Sequence, residues 1–181
     1  GEDREISQQW TTSPALDRIF APGATMGGGF VQIGGAVGVY VAGRITHHPQ
    51  TALLGADLIR GQAINALLTH GIKLSVRRTR PDGSSFSFPS GHTSSTFATA
   101  AVLQRHFGWK VGVPAYAAAA FVGGSRVQEN RHYVSDVLFG AAIGIVSGRT
   151  ATIGHGRATF AVAPLAAPDR VGVLLTRVNR P

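Results

Sequence analysis

Apolar positions recur at helical spacing over most of the first 150 residues, broken where Pro and Gly cluster. Ser13-Pro14-Ala15-Leu16-Asp17 offers an N-cap with Pro at the first helical position, predicting a short helix to Phe20 that Pro22-Gly23 stops. Phe30 to Thr46 predicts a second helix of mostly small residues, closed by His47-His48-Pro49. Leu54, Leu58, Leu68 and Ile72 carry a third over 50–77. Three more are expected over 93–106, 111–127 and 132–149, with Phe107-Gly108 separating the first two of these. Beyond Gly148 the period changes. Phe160 and Val162, then Val171, Val173 and Leu175, alternate with small or polar residues on either side of Leu165–Asp169, which predicts a two-stranded hairpin. The expected fold is therefore mainly α: one domain over 1–181, a single bundle of about six helices. A polar segment at 1–13 precedes it, and a tail at 150–181 carries the small β-hairpin.

At 181 residues the chain is long enough to bury a sizeable core. Seventeen Lys and Arg against nine Asp and Glu leave a net charge of +8, which favours anionic partners: phosphate esters, nucleic acid or anionic lipid. The absence of Cys excludes a disulfide framework, a zinc-thiolate site and a thiol nucleophile. The chain opens Gly1-Glu2-Asp3 without Met, which reads as a trimmed product with no charged-then-apolar leader. The uncharged run from Ile19 to Gly43 is long enough to span a bilayer, but Pro22 and its many glycines favour close-packed soluble helices. Membrane embedding stays open at this point.

Three clusters could do chemistry. Pro89-Ser90-Gly91-His92 stands just before a helix start, whose unpaired N–H groups and dipole suit an anion. His132 and Asp136, at i and i+4 on a helix, would share a face; the carboxylate could take the Nδ1–H and leave Nε2 as a nucleophile. Lys73, Arg80 and Arg126 could surround a tetrahedral oxyanion, with the Ser90 hydroxyl and the Gly91 N–H completing the cradle. His92 would then protonate the leaving alcohol. No metal-spaced histidine set accompanies them, so the expected chemistry is metal-free and without a cofactor. Arg77 and Arg78 read as a solvated helix end, His106 and His155 as surface residues, and His70 as exposed or core-satisfied, one turn before Lys73.

The clusters resemble, in order and internal spacing, the signature of the type 2 phosphatidic acid phosphatase superfamily. That signature has Lys with Arg-Pro after six residues, then Pro-Ser-Gly-His, then Ser-Arg, five residues, His, three residues and Asp. Every fixed position from Lys73 to Asp136 is matched. The resemblance implies a helical bundle and a metal-independent phosphoric ester hydrolase acting on phosphomonoesters or on lipid phosphates and pyrophosphates. His132 would form a phosphohistidine, held by Asp136; His92 would be the acid for the leaving group. Lys73, Arg80, Ser90, Gly91 and Arg126 would bind phosphate, or vanadate in its place. The residues around Ser87–Thr93 and His132–Leu138 look more like the bacterial lipid-phosphatase branch than the soluble class A acid phosphatases. An extracytoplasmic or membrane-associated location is implied, with a phosphate-ester or lipid substrate, a membrane surface as partner, and no nucleic acid. Three alternatives are a vanadate-dependent haloperoxidase, a broad-specificity acid phosphatase or phosphotransferase, and a non-catalytic basic module binding nucleic acid or anionic membrane. Basic residues dispersed along the chain speak against the last.

Overall fold

A computed structural model of the chain describes residues 14–153, 159–167 and 170–178. Six helices follow one another: α1 Pro14–Met26, α2 Gly29–Ile45, α3 Pro49–Val76, α4 Gly91–Phe107, α5 Trp109–Gln128 and α6 Val134–Ala151. Two strands come after them, β1 Thr159–Ala167 and β2 Arg170–Val178. The polar segment 1–13 and His155 lie outside the described residues.

α4 is the centre of the bundle, with α3, α5 and α6 packed around it. Its closeness to α6 has a simple cause. Gly140, Gly144 and Gly148 recur every four residues along one face of α6, opposite the backbone of Ser90, Ser94 and Ala98. A Cβ on Gly144 would stand 2.2 Å from the Ser94 carbonyl oxygen, and one on Gly148 2.5 Å from that of Ala98. Only glycine admits that approach. The two helix starts are thereby locked side by side, and the Ser90 N–H donates to the Asp136 carbonyl at 3.0 Å. Ala36, Leu58 and Val102 form the buried apolar centre, with Leu54 and Ile59 packed against it.

Two expectations need correction. The helix expected to stop at Pro22-Gly23 continues to Met26, with Pro22 inside it. Proline withholds a single N–H, and tertiary packing overrides it here. Gly23 fits so tightly against α5 that a Cβ would meet Ser125 Oγ at 2.3 Å, and Phe20 stacks on Phe121 at 5.1 Å. The second correction concerns the fold class, which was expected to combine the bundle with a β-hairpin. The bundle is six helices with no β-strand in it, so the hairpin is not a part of the architecture that builds the site. The segments 159–167 and 170–178 pair antiparallel with each other, Thr159 opposite Val178.

The outer face of α2 is apolar and open. Phe30, Ile33, Val37, Val41 and Ile45, spaced three or four residues apart, are all exposed, Phe30 almost completely. By length and composition α6 could cross a membrane, and so could the pair 18–26 and 29–45 taken together, bent by 55° at its break.

Candidate active site

The site is built where α3 ends and α4 and α6 begin. Arg77, in the left-handed region at φ 51°, caps α3 and donates its N–H to the Lys73 carbonyl at 3.0 Å. The chain then folds a compact loop. Arg80 N–H reaches the Ser84 carbonyl at 2.7 Å, and Ser87 N–H reaches that of Arg78 at 2.8 Å. Lys73 Nζ donates across it to the Phe86 carbonyl at 2.7 Å. Burial, and then the charge of Arg80, bring the Lys73 amine down to about 8. Ser90 caps α4, fully buried, and its Oγ accepts from Thr93 Oγ1 at 2.9 Å.

His132 sits where α5 turns into α6. The Arg126 carbonyl accepts both the Arg131 and His132 N–H groups, at 3.0 and 3.1 Å. α6 begins only at Val134, so His132 precedes the helix and does not share a helical face with Asp136. The two meet through the cap instead: Asp136, at the third helical position, accepts the Tyr133 N–H at 3.0 Å. His132 Nδ1 lies 3.6 Å from Asp136 Oδ2, which is an ion-pair distance and too long for a hydrogen bond. Nδ1 is buried and has no hydrogen-bond partner among the described residues.

Asp136 is fully buried and richly held. Arg78 Nη1 donates to Oδ1 at 2.7 Å, and the Ser87 hydroxyl donates to Oδ2. Arg78 also reaches Ser135 Oγ at 2.7 Å and lies 4.0 Å above the Tyr133 ring. The reading of Arg78 as a solvated helix end is therefore corrected. Ser87 was likewise unassigned by sequence. Nothing in local spacing points to either, because each meets Asp136 across about 50 residues of chain or more.

A cavity of about 310 Å³ opens beside these groups. Lys73, Arg80, Gly91, His92 and His132 converge on it, and His70, exposed on α3, also lines it. Gln62, Asn65 and Thr69 form its wall along α3, facing Gly27 and Ile33. Of the expected site residues, Ser90, Arg126 and Asp136 are buried and are not among the residues of this wall. Arg126 forms an ion pair with Glu129 one turn on. Arg80 Nε is buried without a partner among the described residues, a donor that an anion in the cavity could satisfy. Burial, followed by the charges of Arg126, His132, Arg80 and Lys73, lowers His92 to about 4. Burial also lowers His132, against the opposing pull of Asp136. The pocket is thus cationic and holds neutral histidines. Among the described residues, no three His, Cys, Asp or Glu side chains gather as metal ligands would.

Comparison with known proteins matches residues 82–160 to the PAP2 superfamily, the span that holds Ser90, Gly91, His92, Arg126, His132 and Asp136. Over that span the chain is similar to the PAP2 superfamily. Lys73 and Arg80 precede the span matched by the PAP2 model. A lipid A 1-phosphatase of Porphyromonas gingivalis is 42% identical over 92 residues, 49% of this chain and 21% of that protein. A decaprenylphosphoryl-5-phosphoribose phosphatase of Mycobacterium tuberculosis is 37% identical over 114 residues, 57% of this chain and 60% of that one. The chain thus spans between about a fifth and three fifths of these PAP2 relatives. Two crystal structures share the PAP2 fold. LpxE of Aquifex aeolicus aligns with a TM-score of 0.68 at 24% identity, covering 81% of this chain and 92% of that one. The transmembrane PAP2 type phosphatidylglycerolphosphate phosphatase of Bacillus subtilis aligns at 0.71 and 25% identity, covering 83% and 82%.

Proposed function

We propose that the chain is a phosphatase that hydrolyses lipid-borne phosphomonoesters or pyrophosphates through a phosphohistidine, without a metal ion. The observation that carries this reading is the cavity itself: His132, backed by Asp136, faces the same space as His92, Lys73 and Arg80. His132 Nε2, on the ring edge away from Asp136, attacks phosphorus and the P–O bond to the alcohol breaks. His92 gives its proton to the leaving oxygen. Water, deprotonated by His92, then cleaves the P–N bond, releasing inorganic phosphate and neutral His132. Lys73, Arg80, the Gly91 N–H and the α4 dipole meet the charge of the equatorial oxygens, with Arg126 behind them. Ser90 shapes the start of α4 that presents Gly91.

His92 needs a proton to act as the acid, yet burial and the surrounding cations hold it neutral at neutral pH. The phosphoryl dianion resolves this, because its charge offsets the cations that depress His92. Substrate binding itself loads the acid.

A lipid substrate is supported by two things. The relatives include enzymes named for lipid A, for a decaprenyl lipid and for phosphatidylglycerolphosphate. The open apolar stripe on α2, which begins at the cavity wall with Ile33 and runs to Ile45, suits contact with acyl chains. The enzyme would work as a single domain in or on a membrane, on its extracytoplasmic side. Phosphate release from p-nitrophenyl phosphate, phosphatidic acid in detergent and a polyprenyl pyrophosphate, with EDTA present and His132→Ala as control, tests the proposal. Turnover that EDTA spares and His132→Ala loses is the expected result. No turnover on any of the three, or turnover that survives in the variant, overturns it.

A further inference from the structure

Asp136 is the carboxylate nearest the His132 ring, yet its two oxygens are already engaged: Oδ1 by Arg78, Oδ2 by the Ser87 hydroxyl and the Tyr133 N–H. Arg78 is held through its guanidinium and its backbone. One nitrogen reaches both Asp136 and Ser135, the plane lies over Tyr133, and the Arg78 carbonyl takes the Ser87 N–H. Arg78 and Ser87, the two side chains that grip Asp136, are therefore tied to each other by a backbone hydrogen bond in one loop. Arg78 stays one-third exposed while its partner is fully buried, so it brings a counter-charge to a carboxylate that water cannot reach.

We propose that Arg78 is a positioning residue for the reaction at His132: it fixes the plane of the Asp136 carboxylate and shares its charge, so that Asp136 orients the imidazole without capturing a proton onto it. This hold on the carboxylate accounts for a His132 Nδ1 to Oδ2 separation of 3.6 Å, beyond hydrogen-bond length. A carboxylate with one fewer donor would draw closer to the ring and favour imidazolium, which is not a nucleophile. Arg78 does not touch the cavity and so would not bind substrate itself. The other groups that bear on His132 pull the opposite way or are uncharged at neutral pH: Lys73 from α3, Arg80 from the loop and His92 from α4.

The turnover arm of the test rests on the phosphatase reading; the titration arm does not. The probe is p-nitrophenyl phosphate, with kcat and KM followed across pH for wild type, Arg78→Gln and Arg78→Lys. In parallel the His132 ring is titrated by NMR in each protein, its signal assigned by its loss in His132→Ala. Arg78→Gln is expected to lower kcat by about tenfold or more with KM nearly unchanged. Its His132 titration and the acid limb of kcat/KM are expected to move up together, by roughly half a pH unit or more. Arg78→Lys keeps the charge but loses the planar fork, so it should restore the limb while leaving kcat a few-fold low. A folded Arg78→Gln protein with wild-type kcat and an unmoved His132 titration overturns the proposal, as does a loss confined to KM. Should Arg78→Gln not fold, Arg78→Lys decides: unchanged kcat there overturns it, and reduced kcat at unchanged KM supports it. If wild type turns over nothing but its His132 titration still responds to Arg78→Gln, the phosphatase reading falls and the positioning role stands.

Discussion

Two buried aspartates in this bundle each face a histidine and an arginine, at opposite ends of α4. At one end Asp136 meets Arg78 at 2.7 Å and His132 at 3.6 Å. At the other, Asp57 of α3 meets Arg60 at 2.9 Å and His106 at 2.9 Å. The residue types are the same, and the second cluster is the tighter one. His106 Nε2 is committed to its carboxylate, and neither His106 nor Asp57 lines the cavity at the reactive end. His132 instead leaves one nitrogen without a hydrogen bond and faces a space shared with Lys73, Arg80, His92 and the start of α4. An Asp–His pair is thus not a reactive device in itself. It becomes one when the far side of the ring opens on a pocket whose fixed positive charges suit an anion.

The most direct way to break the comparison is to remove each histidine. His132→Ala is expected to cut turnover by roughly 10⁴-fold or more, as loss of a covalent nucleophile does. His106→Ala should keep turnover. Removing one of the two partners of the buried Asp57, with Arg60 left in place, should nevertheless cost about 1–3 kcal/mol of stability, read as a fall in the denaturant midpoint. Equal activity loss in the two variants would erase the distinction drawn between the clusters.

His92 sharpens it further. His92→Asn is expected to slow the hydrolysis of esters with poor leaving groups by about 10²-fold or more, and p-nitrophenyl phosphate less, since nitrophenolate departs without a proton. A uniform loss across leaving groups would remove His92 as the acid.

Gly144→Val tests the lock between α4 and α6 that holds the reactive end together. Its side chain would start 2.2 Å from the Ser94 carbonyl. A loss of about 1–3 kcal/mol in stability, from overpacking, is expected together with reduced turnover. Full stability would mean that the close approach is not needed.

The smallest effect is electrostatic. Burial, then the charges of Arg126, His132, Arg80 and Lys73, bring His92 down to about 4, against 6.5 for a free imidazole. Between these values its surroundings keep it neutral, while a bound dianion would raise its pKa and draw a proton in. Sulfate, whose own charge does not change there, should therefore inhibit more strongly as pH falls from about 6.5 toward 4. The slope should vanish in His92→Asn. At the Asp57 cluster, which stands away from that cavity, His106→Ala should leave the slope as it is.

The likeness to the PAP2 superfamily and the six-helix body were legible in the chain because helical period, Pro and Gly breaks and three spaced motifs are local properties. Lys73, Arg80, Gly91, His92 and His132 could be named from their motifs, and the fold brings them to one cavity. Arg78 and Ser87 could not, since what matters about them is a carboxylate that arrives from the other half of the chain. His106 looked like a surface residue for the same reason: its partner lies 49 residues earlier. The i and i+4 spacing of His132 and Asp136 gave the right neighbours by a wrong route, for the helix begins between them. By itself, then, the sequence determined which chemistry-bearing residues exist and which helices carry them. Only the tertiary structure decided which of two similar Asp–His–Arg sets opens on a pocket, because that depends on how α3, α4 and α6 pack at each end. Close packing at the glycine face of α6 is what sets the starts of α4 and α6 side by side, next to the cationic cavity.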